Sequence, residues 1–228
     1  MKRYSLHNPF LVVENGGDLS YGGNQNWSKS KTVQKCGCGA IGGTDLLLYL
    51  SLNKERCRTE VFKQAKDSNG ILELEEYLQY VDYMRKRYLF LFPHFGMPGW
   101  VLAGGINRYL ARYHTGLRAT WGVRKRNLWN RISAMLSHDI PVILSIGPNF
   151  PFVWKKKKLT LYQKTGREGY IPVNEVCAHY VTVTEMDEVW LRVSSWGREY
   201  YINRLEYMNY VKKTSIPLVS NICYIRKG

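Results

Sequence analysis

Acidic residues are scarce in this sequence. In 228 residues, 18 Asp and Glu stand against 33 Lys and Arg, which gives a formal net charge of +15. Such an excess favours contact with something anionic, such as nucleic acid, a membrane surface, a cell-wall polymer or an acidic peptide. Positive charge clusters at residues 85–87, 124–126 and 155–158. Scattered basic clusters are more often solvated faces than a surface that recognises nucleic acid, and no specific nucleic-acid-binding motif is present.

Long apolar runs are also absent. No stretch approaches the roughly 20 apolar residues that cross a membrane. The basic start of the chain is interrupted by His7, Asn8 and Pro9 before any apolar segment of signal-peptide length. The five cysteines are an odd number in a long chain, whereas a secreted disulfide scaffold has an even number in a shorter one. We therefore expect no transmembrane segment and a cytoplasmic location.

Apolar residues make up 45% of the chain, enough for one globular domain. Helical spacing of apolar residues predicts helices at about 38–50, 72–90, 101–113 and 126–138. Later apolar runs predict strands at 141–146, 180–184, 189–193, 199–202 and 221–225, with a helix at about 204–211. Helices first and an antiparallel sheet second is an α+β order. We expect a single domain over 1–228, with a helical half at about 38–138 and a sheet half at about 139–228.

Cys38 lies at the predicted start of the first helix. A thiol in the first helical turn is close to unpaired backbone N–H groups and to the positive end of the helix dipole. Both favour the thiolate and lower the pKa of the thiol, and the same N–H groups can stabilise an oxyanion. We therefore predict that Cys38 is a nucleophile and that Cys36 is a bystander. The alternative is an inert buried thiol, since free cysteine is among the most buried residue types.

His179 enters a predicted strand about 140 residues after Cys38, within the roughly 130–150 residues that separate the pair in papain-type enzymes. A neutral imidazole beside a thiol takes its proton and later protonates the leaving group. The rival is a zinc site made by Cys36, Cys38, Cys177 and His179. Structural zinc pairs usually have two to four residues between ligands, and here there is one. We therefore predict no metal and no cofactor.

Ser194 is the predicted partner of His179. A tight hairpin that turns at Met186 and Asp187 would place Ser194 directly opposite His179, and directly opposed side chains share a face of the sheet. A slip of the register by one residue would favour Ser195 instead. In either register a hydroxyl group approaches the imidazole.

Three motifs together resemble a known family. The run CGAIGGTDLLLYL from Cys38 resembles the nucleophile helix of the bacterial peptidase C39-like branch of papain-like cysteine peptidases. The run HYVTVT from His179 is similar to the His-aromatic-Val-x-Val-Thr strand of that branch. The SWG run at 195–197 matches the end of the Asn-Ser-Trp-Gly motif of papain. The matches cover the first helix and most of residues 140–205.

The resemblance implies a papain-like fold, with a cleft between a helical half led by the Cys38 helix and a sheet half carrying His179. It implies a thiol-dependent hydrolase that cleaves a peptide or amide bond through an acyl-enzyme. Cys38 would attack, His179 would act as base and then acid, and Ser194 would orient His179. Gln25, favoured over the nearer Gln34, would hold the oxyanion together with the Cys38 amide. Ser194 stands where the family has Asn or Asp, and its hydroxyl can accept a hydrogen bond from the imidazole but contributes no charge.

Trp196 and Gly37 are the predicted substrate-binding residues, and Trp196 is expected to shield the His179 contact from water. The expected partner is a peptide or amide substrate. The positive net charge of the chain favours an anionic substrate. Two alternatives stay open. One is a catalytically weak papain-fold protein that binds an anionic partner, and the other is an acyltransferase that uses the same Cys38–His179 pair. The sequence leaves the oligomeric state open.

Overall fold

The structure, a computed structural model, describes residues 2–65, 70–93, 96–151, 153–166 and 169–228. Over these ranges the chain has an α+β fold with six helices and a large antiparallel sheet. The helices are α1 (Lys31–Cys36), α2 (Cys38–Asn53), α3 (Leu74–Arg87), α4 (Gly99–Arg112), α5 (Leu128–Ser137) and α6 (Arg204–Thr214). Of the helices in the described ranges, none is long and apolar enough to span a membrane.

The strands form two sheets. The small sheet is made by β2 (Val12–Asn15), β3 (Asp18–Leu19) and β4 (Ile71–Glu73), in the order β3-β2-β4. The strands of the main sheet are β1 (Tyr4–Ser5), β5 (Leu117–Trp121), β6 (Val142–Ile146), β7 (Leu159–Thr165), β8 (Gly169–Val176), β9 (His179–Met186), β10 (Trp190–Ser195), β11 (Arg198–Asn203) and β12 (Ile222–Lys227). Their order is β5-β12-β6-β9-β10-β11-β7-β8, and β1 pairs with β9.

The main sheet separates two apolar cores. One core contains the buried faces of α2, α3 and α4, and the other contains those of α5 and α6. Strand β6 contributes to both, because successive side chains of a strand point to opposite faces. Ile143 belongs to the first core, whereas Val142 and Leu144 belong to the second. Helices therefore cover both faces of the central strands.

Helix α2 is buried from Gly39 to Ser51, as expected for a helix that is apolar on all sides. Two glycines allow its neighbours to approach. A Cβ atom at Gly42 would lie 3.5 Å from Oγ1 of Thr182 on β9, and one at Gly43 would lie 2.8 Å from a methyl group of Leu89. The close approach on the Gly42 side brings the first turn of α2 near the start of β9.

The predicted helices and strands are confirmed with small shifts at their ends, but several elements were not predicted. These are α1, β1, β5, β7, β8 and the three-stranded sheet. Strand β5 belongs to the main sheet, although its residues fall in the segment assigned to the helical half. Strand β8 has only one buried residue, Val176, so it lacks the apolar alternation by which a half-buried strand is recognised.

The hairpin of β9 and β10 has a different register from the predicted one. Ser194 pairs with Thr182 and not with His179, so the prediction that Ser194 faces His179 is wrong. The turn is longer than two residues, because the N–H of Asp187 donates to the carbonyl of Trp190. An irregularity between Arg192 and Val193 shifts the register again. Both features move the end of β10 along β9.

Candidate active site

His179 is the first residue of β9 and pairs with Ile146, the last residue of β6. Ala178, directly before it, has a φ of 53°, so a sharp turn of the backbone starts the strand. The imidazole is buried, and its Nε2 lies 2.7 Å from Oγ of Ser195. Burial lowers the pKa of His179 to about 4. The imidazole is therefore neutral at physiological pH.

Cys38 is the first residue of α2, and its side chain is half-buried. It lines a cavity of about 20 Å³ that His179 also lines. That space is enough for about one water molecule. The described lining residues are Gly23, Gln25, Cys38, Ile41, Gly42, Asp45, His179, Tyr180, Thr182, Ser194, Ser195 and Trp196. The nucleophile and base predicted from sequence thus border the same small space.

Burial raises the pKa of the Cys38 thiol, and hydrogen bonds from the backbone of Tyr180, Gly39 and Cys38 itself oppose this only in part. The expectation that the helix start lowers the pKa of Cys38 is therefore wrong for the resting protein. The helix-start amides do contact the sulfur, but desolvation of the thiolate outweighs them. At rest the site holds a neutral thiol and a neutral imidazole.

The hydroxyl beside His179 belongs to Ser195 and not to Ser194. Ser194 also lines the cavity, but its Oγ donates to the carbonyl of Tyr21 at 2.7 Å. Gly22 makes this bond possible, because a Cβ atom there would lie 2.3 Å from Oγ of Ser194. Ser194 thus anchors the segment before Gln25 to the end of β10.

Trp196 and Gly197 form the turn between β10 and β11, with φ values of 50° and 71°. Two successive positive φ values are those of the tight hairpin turn that matches strand twist. The turn places the Trp196 ring on the imidazole of His179, with the ring centroids 4.4 Å apart and the planes 21° from parallel. A positive φ is costly for a residue as large as Trp196, and strained backbone conformations of this kind cluster at functional sites. The stack covers one face of the imidazole.

Gln25 is buried and starts a short turn that ends at Trp27. Asn24 caps this turn by accepting from the Asn26 N–H at 2.9 Å. The Nε2 of Gln25 donates to the carbonyl of Gln34 at 2.6 Å. A primary amide carries two hydrogens, so one remains for a group in the cavity. Of the two glutamines, only Gln25 is among the described residues that line the cavity.

Gly37 joins α1 to α2, as the C-cap of one and the N-cap of the other. A Cβ atom there would lie 2.4 Å from the carbonyl oxygen of Val33, so the junction needs glycine. Gly37 is not among the described residues that line the cavity. The thiol of Cys36 points back along α1 and donates to the carbonyl of Thr32 at 3.0 Å.

The zinc alternative finds no support in the described part of the chain. No group of three or more His, Cys, Asp or Glu side chains within those ranges is arranged to hold a metal ion. The sulfur of Cys177 instead accepts a hydrogen bond from the hydroxyl of Tyr210 at 3.4 Å.

Asp45 is a site residue that the sequence reasoning missed. It lies on α2, is almost fully buried, and lines the cavity. Its carboxylate accepts from the N–H of Gly23 at 3.1 Å and from the hydroxyl of Tyr77 at 2.7 Å. Burial raises the pKa of Asp45 to about 6. The sequence signal for Asp45 is an acidic residue inside an otherwise apolar helix, because a buried carboxyl group needs dedicated hydrogen-bond donors.

A larger hollow of about 990 Å³ lies elsewhere, between residues 28–30 and the outer face of α3. The described residues around it include Leu74, Leu78, Tyr83 and Arg87, and neither Cys38 nor His179. Volume alone would direct attention there. The smaller cavity is the better candidate because a thiol, an imidazole, an amide and a carboxyl group converge on it.

Comparison of the chain with protein-family models, curated proteins and solved structures finds no significant match. Any functional assignment therefore rests on the residues and their geometry.

Proposed function

We propose that this protein is a papain-like cysteine hydrolase, similar to the peptidase C39-like branch, that cleaves a peptide or amide bond. One observation carries the proposal: Cys38 and Gln25, near the start of the sequence, border one cavity with the distant His179. A thiol at a helix start, an imidazole and an amide donor are the groups needed for acyl transfer through a thioester.

The neutral resting pair favours general-base activation over a preformed ion pair. As the Cys38 sulfur attacks the carbonyl carbon, the S–C bond forms and the thiol proton moves to His179. His179 then gives this proton to the leaving nitrogen as the C–N bond breaks. In the second step His179 takes a proton from water, the oxygen attacks the thioester, and Cys38 leaves and recovers the proton. The reaction needs no co-reactant other than water.

The negative oxygen that develops in both steps needs hydrogen-bond donors. The free hydrogen of the Gln25 amide and the backbone N–H of Cys38 are the candidate donors. The N–H groups of the first turn of a helix have no partner within the helix, and removal of one such donor typically costs about 10²–10³ in kcat. The contacts of Gln34 and Asn24 keep the Gln25 segment in place before substrate binds.

Ser195 and Trp196 serve as positioning residues for His179. The hydroxyl engages Nε2 at 2.7 Å, which leaves Nδ1 as the ring nitrogen for the thiol. The indole stack restrains the plane of the ring. The role proposed for Ser194 from sequence thus passes to its neighbour.

The test is site-specific alkylation followed by peptide mapping. We expect iodoacetamide to modify Cys38 ahead of the buried Cys57 and Cys223, and His179→Ala to slow this modification. Cys36→Ala is the matched control, because its thiol lies two residues away and bonds to α1. The Cys36→Ala variant should retain the reactivity of Cys38.

The same proteins are then incubated with a mixed peptide library, and the products are identified by mass spectrometry. We expect cleavage by the parent and by Cys36→Ala, and none by Cys38→Ala. Hydroxylamine in a parallel reaction reports acyl transfer to an amine, since it would yield hydroxamates. Equal modification of Cys38 with and without His179, together with no turnover, would overturn the proposal.

A further inference from the structure

Three basic segments that are far apart in the sequence lie together at one end of the main sheet. Nζ of Lys155 donates to the carbonyl of Lys213 at 2.8 Å, which joins the lysine run to the end of α6. Lys125 and Val211 line one hollow, which joins residues 124–126 to the same end of α6. We call this surface the basic rim. It comprises Arg124, Lys125, Arg126, Lys155, Lys156, Lys157, Lys158, Lys212 and Lys213, all exposed.

Two connections tie the basic rim to the start of β9. The side-chain amide of Asn149 donates to the carbonyl of Lys157 at 2.9 Å, and Asn149 closely follows β6, whose last residue pairs with His179. Two residues after Lys157 the chain enters β7 at Leu159, which pairs with Val176 just before His179. The end of the lysine run is therefore held near the strand start that carries the proposed base.

The basic rim combines charge with apolar surface. Phe150 and Trp154, on the same loop as the lysines, are 48% and 69% exposed. Glu175 supplies a negative charge next to Lys158, with which it lines a shallow hollow, but positive side chains greatly outnumber it there. A surface of this kind is complementary to a chain of carboxylates that also carries an apolar side chain.

We propose that the basic rim binds an acidic segment of the peptide substrate and so presents the adjoining bond to Cys38. The inference rests on the proposed function and names its substrate class. A peptide is favoured over a nucleic acid or a membrane because the end of the lysine run is held near the start of β9, where His179, the proposed base of the amide-bond chemistry, lies.

The physical effect is electrostatic and depends on salt. Charges on an exposed surface interact over a Debye length of about 8 Å at physiological ionic strength. Clustered charge of one sign raises the local concentration and the association rate of an oppositely charged ligand. Binding should therefore weaken as salt is added, which distinguishes it from binding by the apolar side chains alone.

The first measurement is the fluorescence anisotropy of a labelled oligoglutamate peptide carrying one tryptophan, titrated with the full chain. In the test variant Lys156, Lys157 and Lys158 are all replaced by Gln. In the matched control Arg58, Arg118 and Lys227 are replaced by Gln. These are exposed positive residues near the other ends of α2, β5 and β12, so the net charge falls equally in both.

We expect the test variant to bind roughly tenfold more weakly than the parent at low salt, and the control to change by less than about twofold. Equal weakening in both variants would mean that net charge alone attracts the peptide, and it would overturn the proposal. An RNA oligonucleotide or phosphatidylserine vesicles bound more tightly than oligoglutamate, through the same lysines, would overturn it in favour of that ligand.

The second measurement separates this inference from the proposed function. Iodoacetate and iodoacetamide carry out the same alkylation but differ in charge, so the ratio of their rates at Cys38 reports the local potential. We expect this ratio to exceed that of free cysteine, and to fall with added salt and in the test variant. No reaction of Cys38 with either reagent would defeat the proposed function. Reaction without any charge preference would defeat only the role of the basic rim.

Discussion

Ser195 and His179 are joined by a contact of 2.7 Å between the serine Oγ and the imidazole Nε2. A serine hydroxyl is uncharged, so unlike a carboxylate it adds no Coulomb stabilisation to an imidazolium. Burial lowers the pKa of His179 to about 4, and the contact with Ser195 does not reverse this. The pair thus suits a base that is neutral at rest and charged only while it holds the thiol proton.

Replacement of Ser195 by Ala should slow the alkylation of Cys38 by roughly tenfold, because one hydrogen bond that orients a catalytic group contributes about 1–1.5 kcal/mol. Ser194→Ala is the comparison, since it removes a neighbouring hydroxyl that bonds to the Tyr21 carbonyl and not to His179. Its effect on the rate should be below about threefold. The rates are measured by stopped reactions and peptide mapping. A larger effect of Ser194→Ala than of Ser195→Ala would contradict the assignment.

His179 should make the folded state sensitive to acid. Its pKa is about 4 in the fold and about 6.5 in an unfolded chain. The unfolded state therefore binds the proton first, so the contribution to stability is full above pH 6.5 and is lost as the pH falls through 4. The integrated loss is about 3 kcal/mol. His179→Gln cannot titrate in this range. We expect its unfolding free energy to lie below that of the parent at pH 7, and the difference to shrink by about 3 kcal/mol at pH 4, as measured by urea unfolding. A deficit that is independent of pH would show that the imidazole titrates normally.

The helix that begins at Cys38 and the strand that begins at His179 could be predicted because their signals are local. A largely apolar run of helical length marks a buried helix, and alternating Val and Thr mark a strand. The orienting serine could not be placed in the same way. Its position depends on the turn after Asp187 and on the irregularity after Arg192, and each moves the register without changing the pattern of apolar residues.

The contacts around the cavity were also beyond prediction from sequence, because they join distant segments. The N–H of Gly197 donates to the carbonyl of Gly23 at 2.9 Å, and the N–H of Tyr21 donates to the carbonyl of Gly197 at 2.8 Å. Apart from the glycines that take part in them, the residue types do not reveal these backbone hydrogen bonds. They fix where Gln25 lies relative to the turn that holds Trp196.

Gly22 should tolerate substitution poorly. Its φ is +74°, and a Cβ atom there would meet Oγ of Ser194 at 2.3 Å and the Phe10 ring at 2.9 Å. Gly16 is the matched control, because its φ is +61° and a Cβ atom there would have no described neighbour within 4 Å. The left-handed conformation alone costs an Ala residue about 1–2 kcal/mol, which both variants share. We expect Gly22→Ala to lose at least about 1 kcal/mol more than Gly16→Ala in urea unfolding, and equal losses would show that the segment yields freely.

The contribution of Asp45 to stability should change with pH in the opposite direction from that of His179. Burial raises the pKa of Asp45 to about 6, so the fold binds this proton more tightly than the unfolded chain does. Its contribution is full below the ordinary carboxyl pKa of about 3.9 and is lost as the pH rises through 6. In the parent protein the two groups therefore largely offset each other between pH 4 and 6.

Asp45→Asn separates the two contributions, because the amide keeps an acceptor for Gly23 or Tyr77 and cannot ionise. Relative to the parent, the variant should gain about 3 kcal/mol in unfolding free energy as the pH rises from 4 to 7. Tyr77→Phe is the opposite change, since it removes a donor to the carboxylate. It should raise the pKa of Asp45 further and so enlarge the loss of unfolding free energy that Asp45 causes as the pH rises. Urea unfolding of all three proteins across this range decides the matter. A parent and an Asp45→Asn variant with parallel pH profiles would mean that Asp45 has the same pKa in the folded and unfolded states, with Gly23 and Tyr77 compensating fully for its burial.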